Sequence, residues 1–309
     1  MTHALIKTTL FQIPQMSLTP IRVTELETAP TVTPTEQIIS LWLHGKSKNT
    51  SALYRRVSSM LFAASTKPIQ WLSLQDFQSF ADSLEERGLA ISSRRTYISV
   101  IKSLMSFSHR AGLIPVNASV ALSTPKSKDA LSQKILTESD ILILIAKESN
   151  PRNKLLLKVL YYAGLRVSEL CGLNWSDLSA NGDSGQLLIF GKGGKTRVVL
   201  LPKVLYHQLL DSRGDTSDSD PIFRSRKSNN DGRLHRATAT RLVKDAAINA
   251  GLSEKASAHW LRHCHASHSL NRGAPIHLLA ATLGHSSIAT TTKYLHAKPN
   301  DSSALYLAG

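Results

Sequence analysis

Ala258-His-Trp-Leu-Arg-His263 and, further on, Leu283-Gly-His-Ser-Ser-Ile-Ala-Thr-Thr-Thr-Lys-Tyr-Leu-His296 are the two runs around which the chain reads. Together they place His259, Arg262, His285 and Tyr294 within 36 residues. His259 and Arg262 stand three apart, so a helix puts them on one face. The apolar run from Pro275 to Leu283 predicts a second helix, ended by Gly284. A histidine and then a tyrosine follow. In this set a phenolic oxygen can attack a phosphodiester while cations and donors hold the phosphate. A free tyrosine hydroxyl has a pKa of roughly 10 and is a weak nucleophile at neutral pH. The stretch itself supplies the cations that would activate it, and no Asp or Glu lies between Glu254 and Asp301.

Two upstream motifs add cations. In Gly164-Leu-Arg-Val-Ser-Glu-Leu170, Arg166 comes just after a glycine that ends a helix, where its planar fork can meet a phosphate. Glu169 stands three residues on and can orient it. In Gly191-Lys-Gly-Gly-Lys195, Lys192 sits between the β-type runs Leu187–Phe190 and Thr196–Leu201, which predicts a hairpin with a glycine-rich turn. Glycine there lets backbone approach DNA closely.

Two other chemistries fail. Gly194-Lys195-Thr196 mimics the end of a phosphate-binding loop, but that pattern needs glycine at position 189, where Ile stands. His259 and His263 have the i, i+4 spacing of zinc ligands, yet Trp260, Leu261 and Arg262 between them offer no base, and a cation beside a dication repels it. Neither a cofactor nor a metal is expected.

These four motifs, in this order, resemble the tyrosine recombinases of the phage integrase family, with a particular likeness to their simple Xer-like members. The resemblance runs from Thr33 to the C-terminus. It implies metal- and ATP-independent strand transfer on double-stranded DNA. Tyr294 then matches the nucleophile that forms a 3′-phosphotyrosyl bond, and Arg166 and Arg262 the pair that neutralises the phosphate. Lys192 matches the acid that protonates the leaving 5′-oxygen. His259 and His285 match the histidines that assist proton transfer and hold a non-bridging oxygen. The family's chemistry passes through a Holliday junction, and it implies a homo-tetramer on paired sites, with a second recombinase or accessory protein as a further possible partner. A type IB topoisomerase shares the chemistry and would relax DNA without sequence preference. A DNA-binding regulator with a dead site would lack one of the six residues.

Charge agrees with a polyanionic partner. The formal net charge is +15, and it is divided almost evenly: +7 over residues 33–128 and +8 over 129–309. Arg94, Arg95, Lys126, Lys128, Lys195 and Arg197 are the expected phosphate contacts. No run of 18 apolar residues suggests a membrane span, and no signal peptide is evident. A cytoplasmic, nucleoid-associated protein is expected. Cys171 and Cys264 read as reduced packing residues.

The expected architecture is mainly α, with a small antiparallel β-sheet in the catalytic domain (α+β) and an all-α helical bundle before it. Residues 1–32 read as a poorly ordered leader, too short for the arm-binding domain of larger integrases. Residues 33–114 read as a four-helix core-binding domain. The polar, basic stretch 115–133 reads as a linker, and 134–309 as the catalytic domain. A helix over Ser302–Leu307 that docks on a neighbouring protomer is a further expectation from the resemblance.

Overall fold

The computed structural model describes residues 34–65, 67–126, 131–191, 194–225 and 232–295. The expected leader, Lys128, Lys192 and the tail from His296 lie outside the described residues. The chain divides into two compact units, residues 1–127 and 128–309, and each has its own apolar core.

Among its described residues the first unit holds four α-helices: α1 Pro34–Leu43, α2 Lys48–Ala64, α3 Leu74–Glu86 and α4 Ile91–Arg110. Helix α3 starts at Ser73 because a capping box forms there. The Asp76 carboxylate accepts the Ser73 N–H at 2.8 Å, and the Ser73 hydroxyl accepts the Asp76 N–H at 3.4 Å. Phe77, Phe80 and Leu84 then recur on one face and are buried. Helix α4 runs against the other three. Its stripe of Tyr97, Ile98, Ile101, Leu104 and Met105 forms the centre of the core.

The stretch expected as a linker, 115–133, divides between the two units. Residues 115–126 belong to the first unit: Asn117 caps a short 3-10 turn, Ala118–Ala121, and Leu122 is 5% exposed in the same core as Ile114. Leu131 and Ile135 belong to the second core. Proline and serine signal irregular backbone here, but apolar side chains between them still find a core to join.

The second unit wraps helices around a three-stranded antiparallel sheet, β1 Leu178–Asn181, β2 Ser184–Phe190 and β3 Thr196–Leu201, in that order. Leu187 lies opposite Val199 and Ile189 opposite Arg197. Before the sheet come α5 Glu138–Lys147, α6 Pro151–Tyr162 and α7 Val167–Gly172. After it come α8 Lys203–Asp211, α9 Arg236–Asn249, α10 Ala258–Asn271, α11 Ile276–Leu283 and α12 Ala289–Thr292. The fold class is as expected. No described helix is long and apolar enough to cross a membrane. Both cysteines are buried thiols.

Helix α10 lies in contact with α5, α6, α9 and α11, yet the face it buries carries polar groups: Arg262, His263, Ser267 and His268. Two of its imidazoles, the half-buried His265 and the buried His268, have partners, as burial requires. His265 Nδ1 donates to the Tyr161 carbonyl at 2.8 Å, and His268 Nε2 donates to the Leu136 carbonyl at 3.0 Å. The His268 Nδ1 is thereby left to accept the Tyr161 hydroxyl at 2.9 Å.

Burial pushes His265 down to about 4 and His263 down to about 3, from an ordinary 6.5. The unfolded chain therefore takes up these protons first as pH falls, and stability declines below pH 6.5. Above about pH 5.5 the carboxylates contribute little to this slope. Urea unfolding followed from pH 7 to 5.5 should show falling stability, and His265→Asn should lower that slope by up to about one proton. A slope unchanged in the variant would contradict a neutral, buried His265.

Candidate active site

Helix α6 ends at Gly164, whose φ of +60° lies in the left-handed region. A Cβ there would lie 2.6 Å from a ring carbon of His265, so only glycine lets this turn press against α10. The turn delivers two groups: its carbonyl faces Arg262, and Arg166 follows at the start of α7.

Glu169 collects the cations. Its side chain is 4% exposed. It accepts the Arg166 backbone N–H at 2.8 Å and Arg166 Nη1 at 2.8 Å. It also accepts Arg197 Nη1 at 3.0 Å and Nη2 at 2.8 Å. Arg262 Nη1 lies 4.0 Å away. Burial alone would raise the Glu169 pKa, but the bonds from Arg197 and Arg166 outweigh it and hold the carboxyl below its usual range.

Arg262 is 1% exposed. Its Nη1 donates to the Gly164 carbonyl at 2.7 Å and its Nη2 to the Leu283 carbonyl at 2.6 Å, so it ties the ends of α6 and α11 together. Burial first, and then the charge of Arg166, bring it down to about 10, which leaves it a cation at neutral pH.

Helix α11 ends at Gly284 in the left-handed region, and His285 follows. His285 Nδ1 lies 2.8 Å from the buried Thr291 hydroxyl. Burial, then Arg262 and Arg166, lower it to about 4, so the imidazole is neutral. It lines an open cleft of about 640 Å³ with Arg166, Gly191, Lys195, Arg197 and Ser286.

Tyr294 is 5% exposed. Its hydroxyl lies 2.8 Å from His263 Nδ1, and the His263 ring meets that of His259 edge-on, with centroids 4.3 Å apart. Burial raises the Tyr294 pKa, against the pull of Arg262 and Arg166. His259 is exposed at the start of α10, and its pKa is lowered by partial desolvation and then by Arg262 and Arg166.

Five of the six expected residues thus fall into two contact groups that act on each other through charge. Arg166 and Arg262 meet at Glu169, His285 shares the Arg166 cleft, and Tyr294 and His259 meet at His263. Lys192 lies outside the described residues. The base of its hairpin is closed by Gly191 N–H donating to the Lys195 carbonyl at 2.7 Å.

The expected phosphate contacts divide. Arg95, Lys126 and Lys195 are exposed. Arg94 is engaged with Glu85 at 2.6 Å and its side chain is 13% exposed. Arg197, expected as a phosphate contact, is largely internal: its side chain is 12% exposed and its fork is occupied by Glu169. Strand periodicity carries the signal for this, because Arg197 shares parity with the buried Val199 and Leu201. His263, weighed from sequence only as a metal ligand, is instead the partner of Tyr294. Among the described residues no group of three His, Cys, Asp or Glu is arranged to hold a metal ion.

The phage integrase family matches residues 133–301, more than half of the chain. The chain belongs to that family, as an Xer-like tyrosine recombinase. Among the relatives of this recombinase is tyrosine recombinase XerA of Pyrococcus horikoshii, 34% identical over 256 residues, covering 82% of this chain and 85% of that one. Tyrosine recombinase XerD of Proteus mirabilis is 34% identical over 277 residues, covering 83% and 86%. The fold is shared with a lambda integrase dimer bound to a COC' core site, with a TM-score of 0.69 at 18% identity over 87% of this chain and 78% of that one.

The lowered pKa values of His263 and His285 place both as neutral imidazoles at physiological pH. Histidine carbon shifts in an NMR titration should therefore stay constant for both between pH 8 and 5.5. An inflection of either near pH 6.5 would refute the buried arrangement.

Proposed function

We propose that this recombinase cuts and rejoins double-stranded DNA at specific sites, with Tyr294 as its nucleophile. The observation that carries this reading is the convergence of Arg166 and Arg262 on one buried carboxylate, with Tyr294 inside their electrostatic reach. Arg166, Arg197 and Arg262 against Glu169 leave two positive charges in excess. Such an excess favours a phosphate whose oxygens gain charge as a fifth ligand approaches phosphorus.

The steps balance without an external reactant. The Tyr294 phenolic oxygen attacks phosphorus and loses its proton. His263, and His259 beside it, are the nearest bases in contact. The bond from phosphorus to the 5′-oxygen breaks, and Lys192 supplies the proton that makes a 5′-hydroxyl. A 3′-phosphotyrosyl bond holds the strand. A 5′-hydroxyl from a second duplex then reverses the step and joins the strands. Arg166 and Arg262 offset the charge on the non-bridging oxygens, while neutral His285 donates to one of them from the cleft.

In this reading the first unit, residues 33–114 and the segment packed on it, grips DNA as the core-binding domain. Arg95 and Lys126 there, and Lys195 in the second unit, contact phosphates. Four protomers on paired sites exchange strands through a Holliday junction. The lambda integrase dimer on its core site supports two protomers per site. Chromosome-dimer resolution is the biological end that fits the Xer names of the relatives. A cytoplasmic, nucleoid-associated location accords with it.

The test is covalent trapping on nicked, end-labelled duplexes from the chain's own genomic neighbourhood, in EDTA and without ATP. An SDS-resistant adduct is expected, absent in Tyr294→Phe. Arg166→Ala and Arg262→Ala should each slow its formation by about 10² to 10³. An adduct that persists in Tyr294→Phe would remove Tyr294 from the mechanism.

A further inference from the structure

Arg197 is placed by strand β3 with its stem among buried residues, and its three donor nitrogens all have acceptors. Nε donates to the Thr282 carbonyl at 2.7 Å in the last turn of α11. Nη1 and Nη2 donate to the two oxygens of Glu169 at 3.0 and 2.8 Å. One guanidinium therefore joins three elements: the strand leaving the hairpin, the start of α7 and the end of α11. Each of these carries or adjoins a residue that lines the cleft, namely Lys195, Arg166 and His285.

The packing is close. A Cβ on Gly284 would lie 3.1 Å from Arg197 Nη1 and 3.2 Å from Cδ. The position that needs glycine for its left-handed backbone thus also needs it to make room for this arginine. A lysine could not replace the fork. Its single ammonium cannot reach two carboxylate oxygens and a carbonyl in one plane.

We infer that Arg197 is a positioning residue: it fixes Glu169, and through it the Arg166 guanidinium, against the turn that presents His285. It does not contact DNA itself. This role rests on the reading that Arg166 balances charge on the scissile phosphate. Glu169 accepts from both arginines, so its orientation sets that of Arg166. Without Arg197, each carboxylate oxygen loses one donor and the group can rotate toward Arg166 or Arg262. A displacement of about 1 Å in a group that stabilises a transition state can lower the rate about 100-fold.

The experiment compares two suicide substrates in single-turnover cleavage. One has an ordinary scissile phosphate; the other is a methylphosphonate, in which a methyl replaces a non-bridging oxygen and removes its charge. In both, the tyrosine oxygen bonds to phosphorus and the 5′-oxygen leaves as a hydroxyl. An arginine whose role is to balance the missing charge is dispensable on the second. Arg197→Lys should slow cleavage of the phosphate by up to about 100-fold, leave DNA affinity unchanged, and cleave the methylphosphonate at close to the wild-type rate. Arg166→Ala is the reference and should show the same sparing. Equal losses on both substrates would make Arg197 a general structural residue and overturn the inference. So would weakened DNA binding at an unchanged cleavage rate, which would make it a phosphate contact after all. Wild-type behaviour on both substrates would overturn it too. If Arg166→Ala is not spared, the assignment of Arg166 to the phosphate fails first, and the role of Arg197 fails with it. Should Arg197→Lys not unfold cooperatively, Arg197→Gln, which puts no ammonium in the interior, is read by the same criteria.

Discussion

A single buried carboxylate determines whether this site can exist. Three guanidinium groups approach Glu169, two in direct contact and one at 4.0 Å. Like charges about 4 Å apart repel by roughly 4 kcal/mol at the effective dielectric near a protein surface. Glu169 offsets that repulsion from the middle, and it also makes its own burial tolerable, since a carboxylate removed from water needs partners. The result is a preformed region of positive potential built from segments far apart in sequence. The glycine turns at 164 and 284 make the convergence possible, because each brings backbone closer than a side chain would allow.

Helix α10 shows the same economy of acceptors. Arg262 uses the carbonyls that close α6 and α11, groups that a helix end leaves without intrahelical donors. Its direction is therefore set by main chain and does not depend on a bound substrate. An electrostatic site works best when its dipoles and charges already point where charge will develop. The neutral imidazoles nearby follow from the same field: cations and burial together keep His263 and His285 unprotonated. Histidine can then accept or donate within the cluster without adding to the repulsion.

Much of this was legible in the sequence where the signal is local. The helices of the first unit follow from apolar spacing and from caps such as Ser73 with Asp76. The hairpin follows from two β-type runs around glycines. Strand β1 was not legible, because Leu178-Ser-Ala-Asn181 offers one apolar side chain and becomes a strand only by pairing with β2. Helices α7, α8 and α12 are short, and α12 spans four residues, too few for a periodic pattern. For the site, the motifs named the residues but not their engagements. A lone arginine in a sequence reads the same whether its fork is free or occupied. That Arg197 is occupied depends on Glu169 and Thr282, 28 and 85 residues away. His263 likewise finds Tyr294 only through the return of the chain after α11.

The Tyr294 hydroxyl faces His263 and the interior, with a raised pKa that keeps it protonated. On the proposed role of Tyr294, a protein that carries a strand-breaking group through a cell full of nucleic acid faces a hazard unlike that of most enzymes, because an encounter at the wrong place leaves a lesion in the genome. A phenol that is neutral, enclosed and already bonded gives random encounters little to react with. The resting molecule is therefore chemically quiet, and damage is limited by the same packing that stabilises its last described turn.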